Sequence, residues 1–447
     1  LSEGIEAEPE FELDIYKKYE KKLASSDNIL GVAVDIGTTT VVAKLINLKD
    51  GKVLGTEVKL NPQTRFGDDV ISRISYAQTE EKLTELQQAI VKCINELIAS
   101  LCKNAKVTLL DIYELSVVGN TTMNHILLRL PVTQLGHAPY KAFSLDAQDA
   151  SPNELGIDIN PAGNIHTVEN IAGFVGSDTT AVALAVGMNQ AEQMTLVVDI
   201  GTNGELVLGT KDKLFSASCA AGPAFEGARI SCGSRAADGA IEAVVLNESD
   251  IDLDVIGDCP ARSICGSGLI DAVAVMLDLG VIGKSGRFTD PKIAEEKLPP
   301  AIAKRLIEKD GQPGFVLAYD EESNKPAVTL TQKDIREVQL AKAAVRAGIK
   351  MLQKKTGIGD ADIEQILLAG AFGNYIRRKN AIRIGLLPDI EHSRIRYVGN
   401  AACTGAQMTL LSTHWRKESK KLAGSIEYTE IARDLDFAEL YTDSMSF

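Results

Sequence analysis

The tetrad Asp-Ile-Gly-Thr occurs twice, each time at the end of an apolar run. The first copy lies in Gly31-Val32-Ala33-Val34-Asp35-Ile36-Gly37-Thr38-Thr39-Thr40-Val41-Val42-Ala43. The second lies in Leu196-Val197-Val198-Asp199-Ile200-Gly201-Thr202-Asn203-Gly204-Glu205-Leu206-Val207-Leu208. Each reads as a buried strand, a tight turn carrying one carboxylate, and a returning apolar strand. Two such hairpins facing each other across a cleft would offer backbone N–H groups, a threonine hydroxyl and a carboxylate to one polyphosphate. The expected occupant is a nucleotide with its divalent ion.

The residue types suit that chemistry. Gly37 and Gly201 allow positive φ and, lacking Cβ, let phosphate oxygens approach the main chain. Successive N–H groups in such a turn make an anion-binding nest. Thr38, Thr39, Thr202 and Asn203 add side-chain donors. Mg²⁺ keeps several waters and is usually held by one or two carboxylates plus phosphate, and Asp35 and Asp199 fit that role, through water. A single copy reads as an ordinary hairpin turn. Two copies behind matching strands point to phosphate binding.

A chain of 447 residues holds two or three domains. Its net charge of −14 argues against nucleic acid or an acidic membrane surface as partner. No apolar run reaches transmembrane length, and the acidic start, Leu1 to Glu10, is no signal peptide. Without an initiator Met, the sequence is expected to be a piece of a longer protein. The seven cysteines, Cys93, Cys102, Cys219, Cys232, Cys259, Cys265 and Cys403, show no C-x-x-C and no zinc spacing. Such dispersed thiols suggest a reducing cytoplasm. His125 reads as a packed or capping residue.

Along the chain, residues 1–28 read as a linker or the remnant of a preceding domain, with a short helix over Leu13–Leu23. Leu83, Leu86, Ile90, Cys93, Ile94, Leu97 and Leu101 predict a helix over 80–102. A strand at Leu115–Val118 ends in Gly119-Asn120-Thr121-Thr122, where a helix starts. Gly176-Ser177-Asp178-Thr179 opens another helix. Asp178 reads first as a capping acid, with a reach toward the metal as the less favoured alternative. A loop of small residues runs from Ser216 to Arg235, and 284–330 reads as a polar surface insertion. Thr331-Gln332-Lys333-Asp334 is a capping box opening a long amphipathic helix. Ile366 to Asn374 is strand, glycine turn and helix start; Gly370 and Gly373 would let main chain lie against adenosine. Tyr397 to Ala406 repeats a Gly-Asn strand–turn–helix.

This order resembles the superfamily of actin, heat-shock chaperones and acetate and sugar kinases. The two hairpins match its phosphate segments, and Gly370, Ala371, Phe372, Gly373 and Asn374 match its adenosine segment. The stretches from Gly119 and Gly399 match its connecting helices. The resemblance implies an α/β fold with two ribonuclease-H-like, actin-like ATPase domains, mixed sheets flanked by helices, and a nucleotide cleft. The domains are expected at 29–194, completed by 398–447, and at 195–397. By the family pattern Asp35 holds Mg²⁺ through water, while Asp199 orients the attacking group or the metal.

Closer resemblance is to the ATP-dependent reductive activators of corrinoid enzymes. It rests on Ala172 to Ala181, Ala221 to Gly227 and Gln332 to Lys342. The resemblance implies ATP and Mg²⁺ as ligands and an oxidised cobalt corrinoid protein, of a methyltransferase system, as partner. Electrons would come from an N-terminal iron–sulfur domain. The C-x₄-C-x₂-C run of that domain is absent, so no iron–sulfur cluster is expected in this chain. The corrinoid contact is placed at or near Ser216–Arg235. Two alternatives stay open: a 2-hydroxyacyl-CoA dehydratase activator whose cluster bridges two subunits, with Cys232 and Cys265 as ligands, and a small-molecule kinase of the same fold. The assembly state is left open, a homodimer being one arrangement.

Overall fold

The computed structural model describes residues 13–20, 28–247, 249–257, 259–309, 311–320, 322–370, 376–431 and 434–447. By its contacts the chain divides into two compact units. The first is Leu1–Val197, Val207–Ser216 and Val398–Thr429; the second is Val198–Leu206, Ala217–Tyr397 and Glu430–Phe447.

The first unit is built on β1 (Leu30–Ile36), β2 (Thr40–Asn47), β3 (Val53–Leu60), β4 (Ile112–Gly119), β5 (Gln148–Ala150) and β6 (Asn164–Thr167). Their order is β3-β2-β1-β4-β6-β5. The first three strands form an antiparallel meander, and β4 and β6 add in parallel. Every residue of β4 is buried, as expected of a strand covered on both faces. The helices are α1 (Lys17–Glu20), α2 (Val70–Tyr76), α3 (Glu80–Ala105), α4 (Thr121–Leu127), α5 (Pro152–Leu155) and α6 (Ser177–Ala185). The predicted apolar stripe of α3 is buried, and the helix packs on β2 and β3. His125 is packed, its Nδ1 lying 2.7 Å from the Thr121 carbonyl while Phe143 N–H donates to Nε2.

A second six-stranded sheet has the order β17-β16-β7-β8-β9-β18. Its strands are β7 (Thr195–Ile200), β8 (Gly204–Thr210), β9 (Lys213–Cys219), β16 (Gln365–Ala369), β17 (Ile395–Gly399) and β18 (Ile426–Tyr428). Read from β9, the order β9-β8-β7-β16-β17 repeats β3-β2-β1-β4-β6, so the duplicated motif marks a duplicated topology. Two three-stranded sheets also occur. One joins β10 (Ala240–Leu246), β11 (Ile251–Val255) and β12 (Ser263–Ile264); the other joins β13 (Leu306–Lys309), β14 (Gln312–Tyr319) and β15 (Pro326–Thr331).

The remaining helices are α7 (Gly266–Leu279), α8 (Pro291–Lys297), α9 (Pro300–Ala303), α10 (Gln332–Thr356), α11 (Arg378–Arg383), α12 (Ala401–Leu411), α13 (Thr413–Ser425) and α14 (Leu435–Asp443). The predicted capping box of α10 is present, and Ile335, Val338, Ala341, Val345, Ile349 and Leu352 are all buried.

Two stretches differ from the polar reading of the sequence. Residues 284–330 are not a simple surface insertion: Phe315, Val316 and Leu317 of β14 and Val328 and Leu330 of β15 are buried. Their apolar residues cluster in two short strands, too short to outweigh the surrounding Lys and Pro in a window average. At the start of the chain, residues 13–20 pack into the first unit. Ile15 is buried, Asp14 and Ile15 donate to the Leu411 carbonyl, and the Thr413 N–H donates to Asp14 at 2.7 Å. Tyr19 donates to the buried Glu114 carboxylate.

Candidate functional site

The first turn, Gly37–Thr39, joins β1 to β2. Neither Gly37 nor Gly201 adopts the positive φ that glycine permits. Gly37 is required for a different reason: a Cβ there would stand 2.7 Å from the Thr40 carbonyl oxygen. Buried donors occupy all three carbonyls of the turn. Asn61 Nδ2 donates to Gly37 O at 2.9 Å, Arg73 donates to Thr38 O, and Asn61 N–H donates to Thr39 O at 2.9 Å. Asn61 and Arg73 are both fully buried. In a trans peptide the C=O and the next N–H point in opposite directions. The N–H groups of Thr38, Thr39 and Thr40 therefore point away from this scaffold. Asn120, which caps α4, adds a 3.1 Å bond to Thr38 Oγ1.

Asp35 sits just before this turn, half-buried on β1. Its Oδ2 accepts a 3.2 Å bond from Asn400 Nδ2, while Asn400 Oδ1 caps α12 through Cys403 N–H. Loss of solvent, and then the nearby Asp178 carboxylate, push Asp35 up to about 7. Asp178, in the first turn of α6, is also raised by burial, against the Thr179 N–H that donates to it at 2.7 Å. Asp178 is the first-turn acid the sequence indicated, and its carboxylate lies near enough to Asp35 to raise that group's proton affinity.

The second turn, Gly201–Asn203, is closed by the Gly201 N–H donating to Asn203 O at 3.0 Å. A Cβ on Gly201 would stand 3.6 Å from Asn203 O, an ordinary contact, so sterics with that atom do not require glycine there. Thr202 donates its hydroxyl to Glu226 at 2.6 Å, and its carbonyl accepts from Gly222 N–H at 3.0 Å. The Ser216–Arg235 stretch is therefore bonded directly to the second turn. That loop is also tied to α10, where the buried Asp334 accepts from Ser231 N and Oγ at 2.7 and 3.0 Å.

Gly370 lies at φ +89°, and a Cβ on it would meet Asp199 Oδ1 at 2.6 Å. Gly370 therefore lies against the second carboxylate. Ala371, Phe372, Gly373 and Asn374 lie outside the described residues. Of the two thiols weighed as cluster ligands, Cys265 is buried 3.3 Å from Ser267 Oγ, and Cys232 is partly exposed.

Sequence reasoning missed Asn61, Arg73 and Glu226, and left Asn400 unassigned. Asn400 had a signal in the repeated Gly-Asn pair. Asn61 and Arg73 had none, because a buried polar side chain looks like an exposed one until the chain folds over it.

Comparison with known proteins places this geometry in a family. A model described as the C-terminal domain of RACo, the ASKHA domain, matches residues 193–447, and one described as the RACo middle region matches residues 30–191. The chain belongs to the RACo family. It is 40% identical over 425 residues to the corrinoid activation enzyme RamQ of Eubacterium limosum, covering 94% of this chain and 70% of RamQ. It is 24% identical over 453 residues to the [Co(II) methylated amine-specific corrinoid protein] reductase of Methanosarcina barkeri, covering 93% of this chain and 77% of that protein. A solved structure of a reductive activator for a corrinoid, iron–sulfur protein superimposes with a TM-score of 0.85 at 39% identity, covering 95% of this chain and 67% of that one. The α/β, actin-like architecture read from the sequence is thus the family's ASKHA fold.

Proposed function

We propose that this RACo-family chain binds and hydrolyses MgATP as the nucleotide-driven part of a reductive activator. It helps return an oxidised cobalt(II) corrinoid protein to cobalt(I). The observation that carries the nucleotide reading is Asp35, bonded to Asn400 and facing Asp178, beside a turn whose N–H groups are directed away from a buried scaffold. The corrinoid substrate is supported by the relatives' names.

The residues fit Mg²⁺: two under-neutralised carboxylates supply hard oxygen ligands. When bound, the ion neutralises charge on the polyphosphate. Asp35 would hold it through water, with Asp178 beside it. The N–H groups of the first turn, with Thr38 and Thr39, take phosphate oxygens. Gly201, Thr202 and Asn203 do the same in the second turn, and Asp199 orients the attacking water or the metal. Gly370 to Asn374 receive the nucleoside.

Hydrolysis yields ADP and phosphate and moves no electron. The one electron that takes cobalt(II) to cobalt(I) comes from an iron–sulfur domain of the full-length protein. ATP assists only if its bound states differ in affinity for partner conformations. The Ser216–Arg235 loop, bonded to Thr202, is our choice for the corrinoid-protein contact. The reading places the chain in the cytoplasm and leaves the assembly state open, a homodimer being one arrangement.

The test is ATP turnover of the purified chain with and without a cobalt(II) corrinoid protein. Slow turnover alone and faster turnover with the partner are expected. Asp199→Asn should cut turnover by about two orders of magnitude. Unchanged turnover in both Asp35→Asn and Asp199→Asn would overturn the site. Stoichiometric iron in the chain would favour the dehydratase-activator alternative, with Cys232 and Cys265 as first suspects.

A further inference from the structure

A threonine hydroxyl carries one proton and two lone pairs. In the second turn that proton is directed at Glu226, whose Oε1 accepts from Thr202 Oγ1 at 2.6 Å. Such a length is typical of a hydroxyl bonded to a carboxylate, a stronger pairing than one between neutral groups. The Thr202 oxygen then has only lone pairs to offer, so it accepts a hydrogen bond and cannot donate a second. Ionised phosphate oxygens also only accept. A hydroxyl set in this way suits a molecule with O–H groups to give, and beside a polyphosphate that molecule is water.

The main chain at Glu226 is held without help from that bond. Glu226 ends a single 3₁₀ turn, Pro223–Glu226, where Gly227 N–H donates to Ala224 O at 3.0 Å and Ala228 N–H to Pro223 O at 3.2 Å. Ala224 and Phe225 are buried. The chain then passes itself too closely for side chains. A Cβ on Gly227 would stand 2.3 Å from Ser234 O, and one on Gly233 would stand 2.1 Å from Gly227 O. Next to that crossing, Ile264 N–H donates to Cys232 O and Ser234 N–H to Ile264 O, both at 2.9 Å. The Gly222 N–H already ties this stretch to the Thr202 carbonyl. The carboxylate is therefore not needed to join loop to turn. Fixed on this base, it decides which way the Thr202 hydroxyl points.

We propose that Glu226 is a positioning residue for water in the nucleotide site. By taking the Thr202 proton it makes the Thr202 oxygen an acceptor for a water molecule, either the one that attacks the terminal phosphate or one bound to Mg²⁺. The main-chain N–H of Thr202 stays with the phosphates. Glu226 acts only through the hydroxyl it directs. This inference rests on the ATP proposal above and deepens it at the second turn.

The experiment combines calorimetric titration and steady-state ATP turnover of the purified chain. Glu226→Gln keeps the side-chain shape, but its amide can donate to Thr202 and turn the hydroxyl proton outward. Turnover should fall about tenfold, the size expected for one hydrogen bond to a charged group. If the water is the attacking one, MgATP affinity stays within about twofold of wild type. If it is bound to magnesium, MgATP affinity falls about tenfold too, while affinity for ATP in EDTA is unchanged. Thr202→Val leaves the loop sequence intact, should show the same loss, and serves if Glu226→Gln does not fold. Thr202→Ser restores a hydroxyl and should recover most of what Thr202→Val loses. The double variant Thr202→Val/Glu226→Gln should be no worse than Thr202→Val alone. Additive losses would overturn the inference. So would wild-type turnover and affinity in the folded single variants, or an equal loss of ATP affinity with and without magnesium. Wild-type chain that neither binds nor hydrolyses ATP would bring down the ATP proposal itself.

Discussion

A Cβ on Gly370 would stand 2.6 Å from Oδ1 of Asp199. The glycine turn expected to face the nucleoside and the carboxylate expected to face the phosphates are therefore in direct contact within the second unit. A change at one is felt at the other, which separates them from a phosphate site and a base site acting independently.

Gly370→Ala tests this contact. An L-residue at φ +89° is strained, by about 1–2 kcal/mol. The added methyl must also displace Asp199. We expect a lower melting temperature and a fall in ATP turnover of about tenfold, larger than the fall in MgATP affinity. Thermal melts, calorimetry and steady-state turnover of the same preparation decide it. Full turnover in a folded variant would show that Asp199 does not need the space.

Arg73 offers a test of the first turn. Its guanidinium is buried, donates to Thr38 O, and donates to Gly67 O at 3.0 Å. Arg73→Met fills most of the volume but orphans those carbonyls, at about 1–3 kcal/mol for each buried group left unpaired. Urea denaturation should show a loss of about 3 kcal/mol. MgATP should bind several-fold more weakly at temperatures where the variant is folded, because the turn's peptide planes lose their fixed direction. Wild-type affinity in that variant would mean the N–H groups are oriented by something else.

Lys342 on α10 gives a pH dependence with a definite sign. It is 1% exposed, donates to the Ser446 carbonyl, and lies 5.2 Å from the Phe447 ring centroid. Burial, and then Lys350 and Arg346, push it down to about 8 from an ordinary 10.5. Below pH 8 both folded and unfolded chains carry the proton, and the penalty for the buried charge is fully present. Between pH 8 and 10.5 the folded chain sheds its proton first, so the unfolded state binds more protons and stability rises with pH. Relative to Lys342→Met, wild type should gain about 2–3 kcal/mol across that window. Urea midpoints at pH 7 and pH 10 measure the difference. Parallel pH profiles for the two proteins would remove Lys342 as its source.

Much of the architecture was legible because it depends on local pattern. The α3 stripe from Leu83 to Leu101 and the α10 stripe from Ile335 to Leu352 are helical periods, and each buried face follows from its spacing. The Thr331–Asp334 capping box is a contact between residues three apart, so the sequence contains both partners. The β13–β15 core was not legible, since short strands in a polar surround carry too few residues for a period to stand out.

What the sequence by itself determined is the duplicated Asp-Ile-Gly-Thr hairpin and the helices with clear periods. Strand pattern, turn and caps act over a few residues, and the two hairpins recur in two matching strand orders. Only the tertiary structure decided why Gly37 and Gly370 are glycines, and which side chains hold the turns. Asn61, Arg73, Asn120 and Asn400 reach Gly37, Thr38 and Asp35 from distant parts of the chain. Such bonds leave no local spacing to read. Hydrogen bonding and desolvation act through space, and the neighbours that define them exist only once the sheets have brought remote segments together.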